Sequence, residues 1–369
     1  MTNNNSSSVD HFARFAEMLE TRSSAVLVLE VAFFMAITLA ALFGNLLLCG
    51  VLFKNFNFRS ITNVLILALS LADILMGIVC MPLTCGALIY GRWPYSDTAC
   101  TIQCFSIYFL AFVSLQTIVL TSLNRFFRIV KPAKYKHLFT TKKTVAMLVA
   151  VWIFTALILV VPLTLGAMDA AFNPAKAACV IFKKGAAMEH RSYPAILRGL
   201  LLLIFAVTPT AVMVICYFKI FQAVGDHFTR VAPNLAQNTR RKSKVNSHEM
   251  RITRTLFAVV VMFVLSWLPV FVIEIIQAFA IDWWNIPREV QLLWTFFGSF
   301  SSAVNPLVYG FTNSSYRREY KRLLTFKWKR RNTDNSDINE QSRSPSVAMA
   351  TLNLATLNEN EHLQALTNH

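Results

Sequence analysis

Asn305-Pro306-Leu307-Val308-Tyr309 sets an amide, a helix-breaking ring and a phenol inside a long apolar run. Pro306 removes one backbone hydrogen bond and kinks a helix, and Asn305 brings polar groups into a stretch with little water to satisfy them. The same cost recurs along the chain: Asn45, Asp73, Arg125, Trp152, Pro209 and the pair Trp267 and Pro269 each interrupt apolar sequence. Ionisable groups in such surroundings are expensive, and they are functional candidates when they face a protein interior. The chemistry these types support is hydrogen bonding, charge pairing and helix bending. Covalent catalysis has no carrier, because the sequence holds no metal-ligand spacing, no phosphate-binding glycine loop and no nucleophile with a matching base. The chain is expected not to be an enzyme.

Side chains of this kind need a scaffold of membrane length. The chain is 55% hydrophobic and only 15% charged, where soluble proteins carry roughly a quarter charged. A helix crosses the hydrocarbon core in about 20 residues. Predominantly apolar stretches of that length are read near 25–53, 61–90, 98–129, 143–166, 194–224, 252–280 and 289–312. The expected fold is all-α, a seven-transmembrane helix bundle followed by a short amphipathic helix on the inner leaflet. That last helix is read within 316–326, where Tyr316, Tyr320, Leu323 and Leu324 recur at helical spacing and Arg317, Arg318, Lys321 and Arg322 fill the other face. The expected organisation is a tail over 1–24, the bundle over 25–312, the membrane-surface helix over 313–326 and a disordered polar tail over 327–369.

Charge sets the orientation. Met1 to Arg22 is polar and acid-bearing, without a short apolar core or cleavage site, so the first span is expected to act as its own signal. Most of the 35 Lys and Arg fall in the loops after spans one, three and five and in the C-terminal tail. Lys131, Lys134, Lys136, Lys142 and Lys143, with Arg240, Arg241, Lys242 and Lys244, mark that side as cytosolic and place the N-terminus outside. Asn4 and Asn5, each opening an Asn-X-Ser sequon, are then glycosylation candidates. A net charge of +16 also suits nucleic acid. These charges flank apolar spans and form no single basic face, so no nucleic-acid partner is expected.

Gly44-Asn45, Leu69-Ser70-Leu71-Ala72-Asp73, Asn124-Arg125-Phe126, Trp152, Pro209 with Tyr217, Phe263-Val264-Leu265-Ser266-Trp267-Leu268-Pro269 and Asn305-Pro306-Leu307-Val308-Tyr309 follow in order, one set per span. Together they resemble a rhodopsin-like (class A) G protein-coupled receptor over about residues 25–326. A partial likeness to melatonin-type and related orphan receptors is carried by Asn124-Arg125 and the basic loop that follows. The resemblance implies a multi-pass plasma-membrane receptor that binds an extracellular ligand, activates a heterotrimeric G protein and presents its tail to a receptor kinase and arrestin.

Further roles come from the same resemblance. It implies a disulfide between Cys100 and Cys179, tethering the loop before span five over the bundle mouth; Cys85 and Cys104 read as packed thiols, with pairing left open. It supplies Asp73 with Ser114, Asn305 and Ser301 or Ser302 as partners, and with an allosteric sodium ion among those oxygens. A water-filled hydrogen-bond network is the alternative, and no other cofactor is expected. Arg125 is expected to meet the G protein. The family's usual acid before it is replaced by Asn124, with Phe126 following, so an Arg125–Glu249 pair is the implied resting lock; the plain alternative is that Glu249 is a solvated helix-end charge. Trp267, beside the kink at Pro269, is placed to convert ligand contact into rotation of the inner half of span six. Tyr217 and Tyr309 are expected to meet through water when that half swings out.

The ligand is constrained by what the pocket lacks. Ile107 stands where receptors for biogenic amines carry an Asp, which argues against an amine, and Ser299 stands where opsins carry the retinal-binding Lys, which a hydroxyl cannot replace in a Schiff base. Tyr108, Phe112, Phe182, Phe205, Trp267, Glu274, Gln277 and Trp294 are the ligand-binding candidates. Glu274 would suit a cationic or amide-bearing ligand unless Arg198 neutralises it. Melatonin receptors differ in having Ala at the position of Pro306 and His at that of Phe205. The expected ligand is a non-amine small molecule or a peptide. The alternatives are an orphan or constitutively active receptor of the same fold, and a membrane transporter, which would need the repeats or continuous polar path that the sequence does not display.

Overall fold

Capping side chains and prolines set where the apolar runs start, widen and bend. The computed structural model describes residues 4–55, 60–166, 169–182, 203–231, 240–279 and 286–325. In chain order the elements are α1 (Asn4–Glu20), α2 (Ser24–Asn55), α3 (Ile61–Tyr90), α4 (Asp97–Val130), α5 (Pro132–Leu138), α6 (Thr141–Thr164), β1 (Asp169–Asn173), β2 (Ala178–Phe182), α7 (Thr208–Val231), α8 (Arg240–Phe279), α9 (Arg288–Thr312) and α10 (Ser314–Leu324). Ser96 starts α4 by accepting from the Ala99 N–H at 3.2 Å, and Thr140 starts α6 by accepting from Lys143 at 3.3 Å. Two π turns, Met76–Cys80 within α3 and Leu203–Val207 leading into α7, precede Pro82 and Pro209. Each ring displaces the carbonyl four residues back and leaves it without a donor, which widens the turn. Pro162, Pro269 and Pro306 lie inside α6, α8 and α9.

The chain divides into two units, Met1–Tyr320 and Lys321–His369. In the first, α4 is the central helix, packed on α3, α6, α7, α8 and the β1–β2 hairpin, while α8, α9, α2 and α3 close the ring beside it. Among the described residues six helices are long and apolar enough to cross a membrane. α9 falls short of that set because its buried side carries Gln291, Thr295, Ser301, Ser302 and Asn305. Large apolar side chains such as Leu29, Phe33, Phe43 and Val214 are exposed on the outside of the bundle, a surface that suits hydrocarbon and not water. Inside hydrocarbon, helices associate through close approach and hydrogen bonds more than through apolar burial. α2 and α9 show both. A Cβ on Gly44 would lie 2.5 Å from the Pro306 ring, and Asn45 Nδ2 donates to the Ser302 carbonyl at 2.9 Å. That carbonyl is the one Pro306, four residues on, leaves without its helical partner.

No element was expected over 1–24, yet α1 forms there. Phe12, Phe15 and Leu19 recur along one face and are buried. The Arg22 guanidinium donates to the Leu19 and Leu88 carbonyls, joining the end of α1 to the end of α3. α3 stops at Gly91, whose φ of 69° is left-handed and where a Cβ would come within 3.0 Å of the Glu20 backbone. Glu30 on α2 gathers the charges: Arg288 of α9 donates to it through both terminal nitrogens at 2.8 and 2.9 Å, and Arg22 Nε lies at 3.3 Å. The far end of the bundle breaks at Asn313, whose Oδ1 accepts from the Ser315 N–H at 3.0 Å to start α10. Tyr316 of α10 packs on Tyr309, centroids 5.3 Å apart, and the Tyr320 hydroxyl donates to the Pro306 carbonyl at 3.4 Å. In the second unit α10 continues to Leu324.

Candidate functional site

At the disulfide end, a short hairpin is held over a cavity. β1 and β2 pair antiparallel with Phe172 opposite Cys179, and Cys179 is disulfide-bonded to Cys100 at the start of α4. Asn173 Oδ1 accepts from the Ala175 and Lys176 N–H groups at 2.9 and 3.2 Å, and Ala177 takes a left-handed φ of 49°. These close the turn. Gln103 of α4 fixes the strand from below, accepting from the Cys179 N–H at 2.9 Å and donating to Thr84 Oγ1 at 3.0 Å. The turn presents Lys176, 3% exposed, whose Nζ lies 2.7 Å from Glu274 Oε1 and 4.6 Å over the Trp294 ring. Its carbonyl accepts from the Thr295 hydroxyl.

Beneath the turn is a cavity of about 140 Å³. Tyr108, Phe112, Phe205, Trp267, Glu274 and Trp294 line it, together with Ile107 and Ser299. Phe112 and Phe205 stack at 4.2 Å. Gln277 instead donates to Gln291 at 3.1 Å, and the side chain of Phe182 lies outside the described residues. Arg198, the alternative partner for Glu274, also lies outside them. Lys176 fills that role, and sequence reasoning missed it because a loop lysine 98 positions from its acid carries no local pattern.

In the middle of the bundle Asp73 is 2% exposed and accepts from Asn305 Nδ2 at 2.8 Å. The neighbouring hydroxyl is that of Ser302, hydrogen-bonded to Asp73, whereas Ser301 donates to the Gly298 carbonyl at 2.7 Å. Of the two serines expected there, the structure therefore turns Ser302 to the carboxylate. Ser114 is buried on α4. Asn45 Oδ1 and Asn305 Oδ1 are buried without a hydrogen-bond donor among the described residues. The Asp73 carboxylate, the Ser302 hydroxyl and the unclaimed Asn305 amide oxygen are oxygen donors of the kind that suits a hard cation such as sodium.

At the opposite end Arg125 is 1% exposed and donates to the Thr62 hydroxyl of α3. Thr62 was not anticipated, since a threonine on a neighbouring span has no distinguishing sequence context. Asn124 is fully buried, and neither polar atom of its side chain finds a partner among the described residues. Phe126 meets Phe127 edge-on at 5.3 Å. Tyr217 of α7 packs on Phe257 of α8 at 5.0 Å, and Trp267 packs on Phe263 at 5.8 Å, two residues before Pro269 within the helix. The side chains of Glu249, Asn4 and Asn5 lie outside the described residues, as does the tail over 326–369. Cys85 and Cys104 are both free and buried.

Residues 44–309 match the family described as 7 transmembrane receptor (rhodopsin family). The chain is 24% identical to the melatonin receptor type 1B-B of Danio rerio, over 88% of this chain and 88% of the relative. It is 27% identical to the allatostatin-A receptor of Bombyx mori, over 84% of this chain and 82% of the relative. Squid rhodopsin shares the fold, with a TM-score of 0.71 at 18% identity, covering 88% of this chain and 93% of that one.

Proposed function

The chain belongs to the rhodopsin family of seven-transmembrane receptors, and from that premise we propose that it is a plasma-membrane receptor which takes a non-amine small molecule or peptide from outside the cell and activates a heterotrimeric G protein. Its family is one of receptors, not enzymes. What the geometry performs is therefore a transfer of binding energy. The disulfide end faces outward and the Arg125 end, with its basic loops, faces the cytosol. The relatives include octopamine receptors, at 26% and 25% identity, beside the melatonin and allatostatin-A receptors, so the non-amine reading rests on Ile107 in the cavity wall and not on the relatives.

One observation carries this reading: Trp267 lines the cavity and sits beside the proline bend of α8. A ligand pressed against the indole favours one orientation of the helix below it, and Pro269, lacking an N–H, lets the two halves of α8 pivot. The ligand shifts a population by its differential affinity, so a tenfold preference for the open form supplies about 1.4 kcal/mol. Opening frees Arg125 from Thr62 to meet the G protein, after which the tail is a substrate for a receptor kinase and a site for arrestin. A sodium ion held by Asp73, Ser302 and Asn305 would neutralise the carboxylate and favour the closed form. In that case sodium weakens agonist binding to the wild type and has no effect on Asp73→Asn; a sodium effect that survives the substitution sinks the site.

The test of the whole reading is a second-messenger screen, cyclic nucleotide and calcium together, against amines, indoles, nucleosides and peptides. A non-amine hit is expected, with signalling lost and binding kept in Arg125→Ala. A selective amine hit overturns the ligand class, and undiminished signalling through Arg125→Ala overturns its role. A second reading, ligand-independent signalling, is supported by Asn124, whose buried amide offers Arg125 no adjacent carboxylate. Basal nucleotide exchange in the absence of any ligand separates the two.

A further inference from the structure

We propose that Lys176 is a built-in cation that permanently occupies the cation-binding corner of the ligand cavity, so that the group a ligand places there is uncharged. Glu274 and Trp294 both line the cavity and together form an ammonium site: a carboxylate oxygen 2.7 Å from Lys176 Nζ and an indole face 4.6 Å from it. The side chains of Lys176 and Glu274 are 4% and 21% exposed, so the pair is largely shielded from water and salt.

The hairpin is built to keep the ammonium in place. The Asn173 side chain, the left-handed Ala177, the Cys100–Cys179 disulfide and the bonds from Gln103 and Thr295 all fix the backbone on which Lys176 rides. A tethered group competes at an effective concentration on the order of millimolar or higher. A free amine, typically far more dilute, loses to it. The carboxylate that the sequence offers as a contact for a cationic ligand is therefore already spent within the chain. What remains for a ligand is the aromatic wall of Phe112, Phe205 and Trp267, which suits a neutral, planar or alkyl group.

The inference rests on the reading of this cavity as the ligand site, and the experiment separates the two. Full-length receptor in lipid nanodiscs is titrated with 2-phenylethylammonium and with its neutral isostere 2-phenylethanol, reading ligand-induced thermal stabilisation. The variants are Lys176→Met, Lys176→Arg and Lys176→Met/Glu274→Gln, with Lys176→Gln as the substitute if Lys176→Met is not recovered folded. The neutral probe is expected to bind the wild type and Lys176→Arg at least about tenfold more tightly than the ammonium probe, a gap of about 1.4 kcal/mol. Lys176→Met should strengthen the ammonium probe by about tenfold or more while leaving the neutral probe little changed, and Glu274→Gln should erase that gain. If the neutral probe binds throughout but the ammonium probe binds the wild type equally well, or gains nothing in Lys176→Met, the internal-cation role is wrong and the cavity stands. If neither probe binds any variant, the cavity is not a ligand site and both readings fall.

Discussion

Glu30→Gln changes one oxygen to an amide nitrogen at nearly constant volume, yet it removes the carboxylate shared by two buried guanidiniums. The side chains of Arg22 and Arg288 are 4% and 2% exposed, against 11% for Glu30. Burial pulls the Arg22 pKa down, Glu30 pulls it back up and Arg288 pushes it down again, so the corner already holds one positive charge in excess. Losing one partner of a buried pair costs about 3–5 kcal/mol, and the partial exposure of Glu30 places this case near 3. Arg288→Met gives up two charge-assisted hydrogen bonds, each worth about 1.5–3 kcal/mol, but it also removes the buried like charge that opposes Arg22 and leaves Arg22 and Glu30 balanced one to one, so the net cost is about half that of Glu30→Gln, roughly 1.5 kcal/mol. The ordering is the sharp part of the prediction. Thermal unfolding in nanodiscs, followed by a thiol-reactive dye that reports exposure of the buried Cys49, Cys80, Cys85, Cys104 and Cys216, should show Glu30→Gln melting about 6 °C lower, at roughly 2 °C per kcal/mol. Arg288→Met should fall about half as far, and Glu30→Gln/Arg288→Met should recover part of the loss. A more severe Arg288→Met, or a double variant worse than Glu30→Gln, would refute the charge count.

Three further outcomes follow from the geometry. Gly44→Ala should destabilise by about 1–3 kcal/mol, because its methyl would sit 2.5 Å from the Pro306 ring, while Gly225→Ala, whose added methyl meets no atom of the described residues within 4 Å, should melt no lower than the wild type. Cys100→Ser, Cys179→Ser and the double variant should lose the same stability, at most about 4.5 kcal/mol from the chain entropy of the loop they close; a double variant worse than either single one would show that the thiols act separately. Asn124→Asp restores a carboxylate beside Arg125 and should lower basal nucleotide exchange about fivefold, so an unchanged basal rate would remove the adjacent residue from the resting balance.

The helices were legible because hydropathy and proline act locally. Spans near 61–90 and 289–312 match α3 and α9 to within a residue or so, since a membrane span must satisfy its own backbone and its length is fixed by the bilayer. The hydrogen bond from Asn305 to Asp73 was legible only through family likeness, because it joins residues 232 positions apart. α1 had a visible signal that went unused: Phe12, Phe15 and Leu19 at helical spacing within polar sequence. Neither the Glu30 corner nor the Lys176–Glu274 pair has any local signature. Each is a meeting of long side chains whose partners are chosen by tertiary position, 258 and 98 residues away. The choice of Ser302 over Ser301 at Asp73 turned on one step of helical phase, about 100° of rotation, finer than the reading of a span resolves.

The carbonyl orphaned by Pro306 is taken by Asn45, a residue of another helix. The hinge of α9 therefore has its pin in α2. Straightening or deepening that bend stretches a bond to a neighbour before it strains α9 itself, so α2 registers movement it does not initiate. A substitution at Asn45 would then alter the stiffness of a joint it does not belong to, and a force applied at the Tyr309 end of α9 has a route toward the Glu30 corner through the body of α2.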